Sequence, residues 1–164
     1  MAEQLWKMPP VIKVYEALGA LGDRRVRLED DTHARVVSSE GDKTYEVETS
    51  DGLRKVSSND NASYWQGYVG YPAIAVLLAR GLYEPKSSTV EALAGIPWKE
   101  LNRKFRNDYT RTLAEVDKHL HERGHDPAAV RAQADAVMEA LRKFKPYRGE
   151  RRRPPAESRK PARR

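Results

Sequence analysis

The segment from Val56 to Tyr83 constrains the fold most, because a polar turn runs there through four aromatic residues into the most hydrophobic helix of the sequence. Pro72 is typical of a first helical turn, and Gly81 is typical of the left-handed residue that ends a helix. The residues between them are apolar on almost every side, which predicts a short helix buried inside a domain. This helix is too short to cross a membrane.

The residues before this segment predict one helix followed by a small sheet. Apolar residues recur at helical spacing from Val11 to Leu21. Short stretches with a period of two then follow, separated by turn-forming residues, and a last strand is expected near 53–56. We expect an antiparallel meander of three or four strands, with the Pro72 helix covering its apolar face. The alternating stretches are Val26–Leu28, Ala34–Val36 and Tyr45–Val47.

The residues after this segment predict helices. A capping-box pattern begins a short helix at Ser87. A long helix is expected from Pro97, with apolar residues in steps of three or four up to Leu120, and a second helix begins at Asp126-Pro127. These two helices form a hairpin, and residues 97–145 either pack on the core or form a homodimer or protein-partner surface. The predicted class is α+β, with units at 1–83, 84–146 and 147–164.

All of the net charge of +6 lies in the last unit, because the segment from Arg148 to Arg164 holds eight basic and two acidic residues. Its composition predicts a disordered basic tail. Phosphate binding without sequence preference is the functional interpretation, and a solubilising tail is the alternative. The candidate phosphate-binding residues are Arg148, Arg151, Arg152, Arg153, Arg159, Lys160, Arg163 and Arg164.

Two motifs inside the helical region allow a functional and a structural interpretation. HERGH, from His121 to His125, matches the H-E-x-x-H zinc pattern, but Gly124 and the proline after Asp126 end the helix that this pattern needs, so no metal is expected. Arg103 and Arg106 lie among aromatic residues, as in some nucleic-acid-binding helices. A solvated face of mixed charge is the alternative for these two arginines.

The absence of cysteine excludes disulfides and thiolate metal sites. No apolar run is long enough to span a membrane, and the first residues lack a signal-peptide pattern, so we expect a cytoplasmic protein. The lack of cysteine with little Asn and Gln is also typical of thermophiles. No phosphate-binding loop, catalytic triad or carboxylate cluster is evident, so neither an enzyme nor a cofactor is expected.

The order of a helix, a meander reading RVRLEDDTHARVVSSEGDKTYEVET, a turn and GYPAIAVLLARG resembles the SWIM-type zinc-binding domain. That family places a C-x-C pair after the last strand and a C-x-H pair at the helix start. These positions fall near Ser57 and Asn59, and at Gly70 and Pro72, so all four ligands are missing. The resemblance implies a SWIM-like fold without zinc. Some other interaction must then replace the metal's contribution to folding, which is on the order of 10 kcal/mol.

We expect a small core of aromatic rings where zinc would lie, formed by Tyr64, Trp65, Tyr68 and Tyr71. If Trp65 is exposed instead, its indole can stack on unpaired bases. SWIM-type domains are DNA-binding or protein-interaction modules, so the resemblance implies a non-catalytic protein that associates with DNA or RNA. The alternative is a protein–protein adaptor whose basic tail has no role in binding.

Overall fold

The computed structural model describes residues 3–156, which form a five-stranded sheet and six α-helices. Neighbouring strands follow the chain in the order β1-β2-β3-β4-β5. The first four strands pair antiparallel, whereas β5 pairs parallel with β4. The predicted α+β class and the four-stranded meander are therefore confirmed. The strands are β1 (Val26–Leu28), β2 (His33–Val37), β3 (Thr44–Ser50), β4 (Lys55–Ser58) and β5 (Tyr147–Arg148).

The helices follow the predicted order with one difference and one addition. The difference is that the long helix expected from Pro97 is two helices. The addition is a single π-helical turn at Ala62–Gln66, between the sheet and the hydrophobic helix. No helix among the described residues is long and apolar enough to span a membrane. The α-helices are α1 (Val11–Gly22), α2 (Tyr71–Ala79), α3 (Ser87–Ala92), α4 (Trp98–Lys104), α5 (Tyr109–Glu122) and α6 (Pro127–Phe144).

Helix α2 is the centre of the core. Ile74, Val76 and Leu77 are completely buried, and α2 contacts α1 as well as the first four strands. Burial of each such side chain contributes about 1.5–3 kcal/mol relative to exposure to water. The sheet supplies its buried face through residues at alternate positions, among them Ala34, Val36 and Val47, as the period of two predicted. The Pro72 helix therefore covers the meander.

The break between α4 and α5 corrects the prediction of one long helix. Arg106 and Asn107 have φ angles of 52° and 60°, in the left-handed region, where a right-handed helix cannot continue. Asp108 then starts α5, since its carboxylate accepts a hydrogen bond from the Arg111 N–H at 3.3 Å. The apolar steps of three and four residues persist through this turn, so the spacing alone did not reveal it.

Helices α5 and α6 form the expected hairpin and pack on the rest of the protein. Val116, Leu120, Val137 and Leu141 are buried in the same hydrophobic cluster as α1 and α2. Residues 97–145 therefore contribute side chains to one continuous core with the first 83 residues.

Residues 147–152 belong to the folded body, which corrects the prediction that a disordered tail begins at 147. Strand β5 lies beside β4, and the Gly149 N–H donates to the Val56 carbonyl at 2.9 Å. Residues near the N-terminus cover β5 in turn: the Trp6 N–H donates to the Pro146 carbonyl, and the Trp6 indole packs 4.9 Å from the Arg148 guanidinium. The chain ends thus close the β4 edge of the sheet. Arg159, Lys160, Arg163 and Arg164 lie outside the described residues.

We predict that Trp6→Ala lowers the free energy of unfolding by roughly 2 kcal/mol. The substitution removes the half-buried indole, its hydrogen bond to the Val56 carbonyl at 3.0 Å and its contact with Arg148. The measurement is urea denaturation, with Trp65→Ala as the matched control because the Trp65 side chain is 69% exposed. Equal losses in the two variants would contradict this account of the sheet edge.

Candidate functional site: a basic, tyrosine-lined cleft

An open cleft of about 500 Å³ lies between α1, the β2–β3 turn, the π-helical turn and α4. Its volume falls within the range of ligand-binding pockets. The lining contains five basic side chains against two acidic ones, together with four tyrosines and two tryptophans. The lining therefore combines more basic than acidic side chains with aromatic surface. The basic residues are Lys13, Arg25, Lys43, Lys99 and Arg103, and the aromatic residues are Tyr45, Trp65, Tyr68, Tyr71, Trp98 and Tyr109.

The floor of the cleft contains an ion pair within α1. The Lys13 ammonium lies 3.0 Å from the Glu16 carboxylate, and the Asn102 side-chain N–H donates to the other oxygen of that carboxylate at 2.6 Å. Burial by itself lowers the pKa of Lys13, but Glu16, Tyr109 and Tyr68 outweigh burial and raise this pKa well above its ordinary value. The lysine therefore stays charged at neutral pH.

Three tyrosines above this ion pair stay protonated at neutral pH. Burial, and then the negative charges nearby, raise the pKa of Tyr45 to about 12. Burial and the neighbouring Tyr109 raise the pKa of Tyr68 to about 12 as well, against the lowering effect of Lys13. Burial and the neighbouring Tyr45 raise the pKa of Tyr71 in the same way. The rings of Tyr45 and Tyr71 meet edge to face at 6.1 Å. The three hydroxyl groups can donate hydrogen bonds at neutral pH.

The rim at α4 carries cations that are paired with acids of the β2–β3 turn. Lys99 lies 3.0 Å from Asp42 and 3.7 Å from Glu40, and Arg103 lies 3.6 Å from Glu40. Hydrogen bonds from Ser38 and Lys99 lower the pKa of Asp42 to about 2. Such exposed pairs contribute little to stability, so an anionic ligand can compete with them.

One wall of the cleft depends on a buried carboxylate. Asp60 accepts hydrogen bonds from the Ser58 hydroxyl at 2.5 Å, the Ser63 hydroxyl at 2.7 Å and the Ser63 N–H at 3.0 Å. The Gly70 N–H donates to the Ser63 hydroxyl at 3.2 Å, which joins the start of α2 to this cluster. Position 70 is a glycine, and a Cβ at this position would overlap the Asp60 carboxylate. These bonds fix the π-helical turn against β4 and α2.

The exposed Trp65 corrects the prediction that this residue belongs to an aromatic core. Its indole projects from the π-helical turn into the cleft mouth, whereas Ser63 of the same turn is buried against Asp60. Tyr64 meets Trp65 edge to face, and both rings lie at the surface of the turn. A network of polar hydrogen bonds therefore occupies the place where packed rings were expected.

Arginines of the predicted tail lie on the other side of the π-helical turn. The Arg151 guanidinium lies 4.1 Å from the Tyr64 ring centroid and donates to the Tyr64 carbonyl. Arg148 donates to the Gly67 carbonyl, and Arg152 pairs with Glu48. Arg153 is exposed. Arg148 and Arg151 reach the turn because β5 lies beside β4.

The structure unites only some of the predicted site residues. Arg103 and Trp65 line the cleft, whereas Arg106 occupies the left-handed turn after α4 and is not part of the lining.

For the HERGH motif, α5 ends at Glu122 and His125 follows it, so the two histidines do not share a helix. Among residues 3–156, no group of three or more histidines and carboxylates could hold a metal ion.

Sequence reasoning did not identify Lys13, Arg25, Lys43 or Tyr45 as site residues. They come from α1, the residues before β1, the β2–β3 turn and β3, and only the tertiary fold brings them together. The one local signal was the position of Tyr45 in an alternating strand, which assigned this residue to a buried face. Tyr45 indeed lies on the covered side of the sheet, opposite Val36 of β2.

The fold and the cleft define an α+β protein with an open cleft lined by basic and aromatic side chains. A family model described as Uncharacterised conserved protein UCP014422 matches residues 6–147, and the chain belongs to that family. No curated protein matches the chain, and no solved structure matches it.

The tyrosines predict a loss of stability in alkaline solution. Tyrosine in the unfolded chain ionises near pH 10, whereas Tyr45 and Tyr68 of the folded protein remain neutral up to about pH 12. The unfolded chain therefore releases these protons first, and the free energy of unfolding falls as the pH rises from about 10 to about 12. We expect Tyr45→Phe to make this fall shallower in urea denaturation. An unchanged pH dependence would contradict the raised pKa values.

We predict that Asp60→Ala lowers the free energy of unfolding by about 3 kcal/mol, because three buried donor groups lose their charged acceptor. The exposed Asp31 provides the control, since Asp31→Ala removes the same charge from the surface. Urea denaturation of both variants is the measurement. A similar, small effect of the two substitutions would show that Asp60 does not organise the turn.

Proposed function

We propose that this protein is a non-catalytic, cytoplasmic nucleic-acid-binding protein whose cleft holds a single strand. The observation that carries the proposal is the convergence of five basic side chains and an exposed tryptophan on one concave surface. Proteins that bind single strands without sequence preference combine a basic groove with aromatic side chains on which bases stack. Both features occur here in the same cleft.

The geometry favours a single strand over a duplex. The cleft is a cavity with tyrosines in its walls, and the bases of a duplex are stacked on each other and cannot lie against such walls. A strand with unpaired bases can place one base on Trp65 and its phosphates near Lys43 and Arg103. The protonated tyrosine hydroxyl groups supply neutral donors to sugar or base oxygens.

The SWIM-like resemblance remains part of this proposal. Asp60 lies one residue after the second position of the C-x-C pattern, and it is linked through Ser63 to Gly70 at the first position of the C-x-H pattern. The hydrogen bonds of Asp60 thus join the two chain segments that zinc joins in that family. On this proposal, the fold keeps the connection and has lost the metal.

Fluorescence anisotropy with labelled oligonucleotides tests the function. The binding of single-stranded DNA, duplex DNA and single-stranded RNA to the intact protein is compared at moderate salt. We expect single-stranded DNA and RNA to bind more tightly than duplex DNA. The absence of binding to all three ligands would reject the proposal and favour the protein–protein adaptor.

We predict that Trp65→Ala weakens single-strand binding roughly fivefold to a hundredfold, since a stacked base contributes about 1–3 kcal/mol. The thermal midpoint should stay near that of the unmodified protein, because the indole is 69% exposed. A loss of stability without a specific loss of binding would instead assign Trp65 a structural role.

Substitutions of Lys43 and Arg103 distinguish the electrostatic contribution to strand binding from the contribution of base stacking. Each phosphate contact on a single strand adds about 0.7 to the slope of log affinity against log salt concentration. We expect Lys43→Ala and Arg103→Ala each to reduce this slope by about 0.7, whereas Trp65→Ala should leave it unchanged. Equal slopes in all of these proteins would show that the cleft cations do not contact phosphates.

A further inference from the structure

A row of planar groups connects the cleft with the arginines after β5. Trp65 lines the cleft, and its ring centroid lies 4.6 Å from that of Tyr64. Tyr64 faces the opposite side of the π-helical turn, where the Arg151 guanidinium lies 4.1 Å from its ring centroid. The indole, the phenol and the guanidinium therefore contact each other in sequence across the turn.

The position of Arg151 in this row is fixed by the folded body. Its guanidinium donates to the Tyr64 carbonyl at 3.1 Å, and the nearby residues Gly149 and Arg152 are held in place. The Gly149 N–H binds the Val56 carbonyl, and Arg152 pairs with Glu48. No carboxylate of the described residues lies within ion-pair distance of Arg151, so its charge is available to a ligand.

We propose that a strand bound in the cleft continues across Trp65 and Tyr64 onto Arg151, so that the cleft and the arginines after β5 form one extended binding path. This inference rests on the proposed function of the cleft. Aromatic rings accept bases regardless of sequence, and a guanidinium can both stack on a ring and bind a phosphate. The preferred ligand is therefore an oligonucleotide long enough to cross the π-helical turn, rather than a nucleotide that fills the cleft alone.

The test compares a tetranucleotide with a dodecanucleotide of thymidine by fluorescence anisotropy, using the full-length protein. We expect the longer strand to bind at least about tenfold more tightly. Arg151→Ala should remove most of this gain and leave tetranucleotide binding unchanged. Arg142→Ala is the matched control, because it removes an exposed arginine of α6, a helix that supplies no lining residue of the cleft. This control should bind both ligands like the unmodified protein.

Arg151→Lys separates planarity from charge, since it keeps the positive charge and removes the planar group. We expect intermediate binding of the dodecanucleotide with an unchanged thermal midpoint. If Arg151→Ala weakens both oligonucleotides equally, or neither, the extended path is wrong while the cleft can still bind a strand. If the unmodified protein binds neither oligonucleotide, the proposed function itself fails.

Discussion

The burial of α2 on every side is the constraint on which the rest of the structure depends. A helix this apolar has no face that can remain in water, so it needs a partner in each direction. The sheet covers one side and α1 covers another, and the hairpin of α5 and α6 packs outside α1. The cleft lies where these layers end, because α1, the first residues of β3 and α4 meet there without another element to fill the space.

Local sequence patterns predicted the strands and helices whose formation depends on residues close to each other in the sequence. The period of two in the strands and the proline and glycine around α2 correctly predicted those elements, because backbone geometry fixes both signals within a few residues. Strand β5 was missed because it pairs Lys55 with Tyr147, and nothing in its arginine-rich surroundings indicates a partner so distant in the sequence. The α4–α5 break was missed because a left-handed Asn107 preserves the apolar spacing.

The candidate site was only partly predictable, for a different physical reason. Aromatic residues have the same sequence signature whether they are buried or exposed, and Ser63 and Trp65 show how the turn decides between the two. The π-helical turn points the serine towards Asp60 and the indole towards the cleft, so the smaller polar residue is buried. A hydrophobicity pattern predicts the opposite. The buried acceptor of Asp60, rather than ring packing, determines which side chain enters the interior.

Net charge was also a poor guide to the local charge of the folded surface. The first 147 residues are neutral in sum, and the sequence analysis placed all of the net positive charge in the tail. Folding separates part of the charge of this neutral body, because the cleft lining holds five basic and two acidic side chains, while Glu40 and Asp42 pair with Lys99 and Arg103 at its rim. A local field depends on such separation and not on the total. Since Arg151 reaches the opposite side of the π-helical turn, the charge of the tail and the charge of the cleft act on neighbouring parts of one surface.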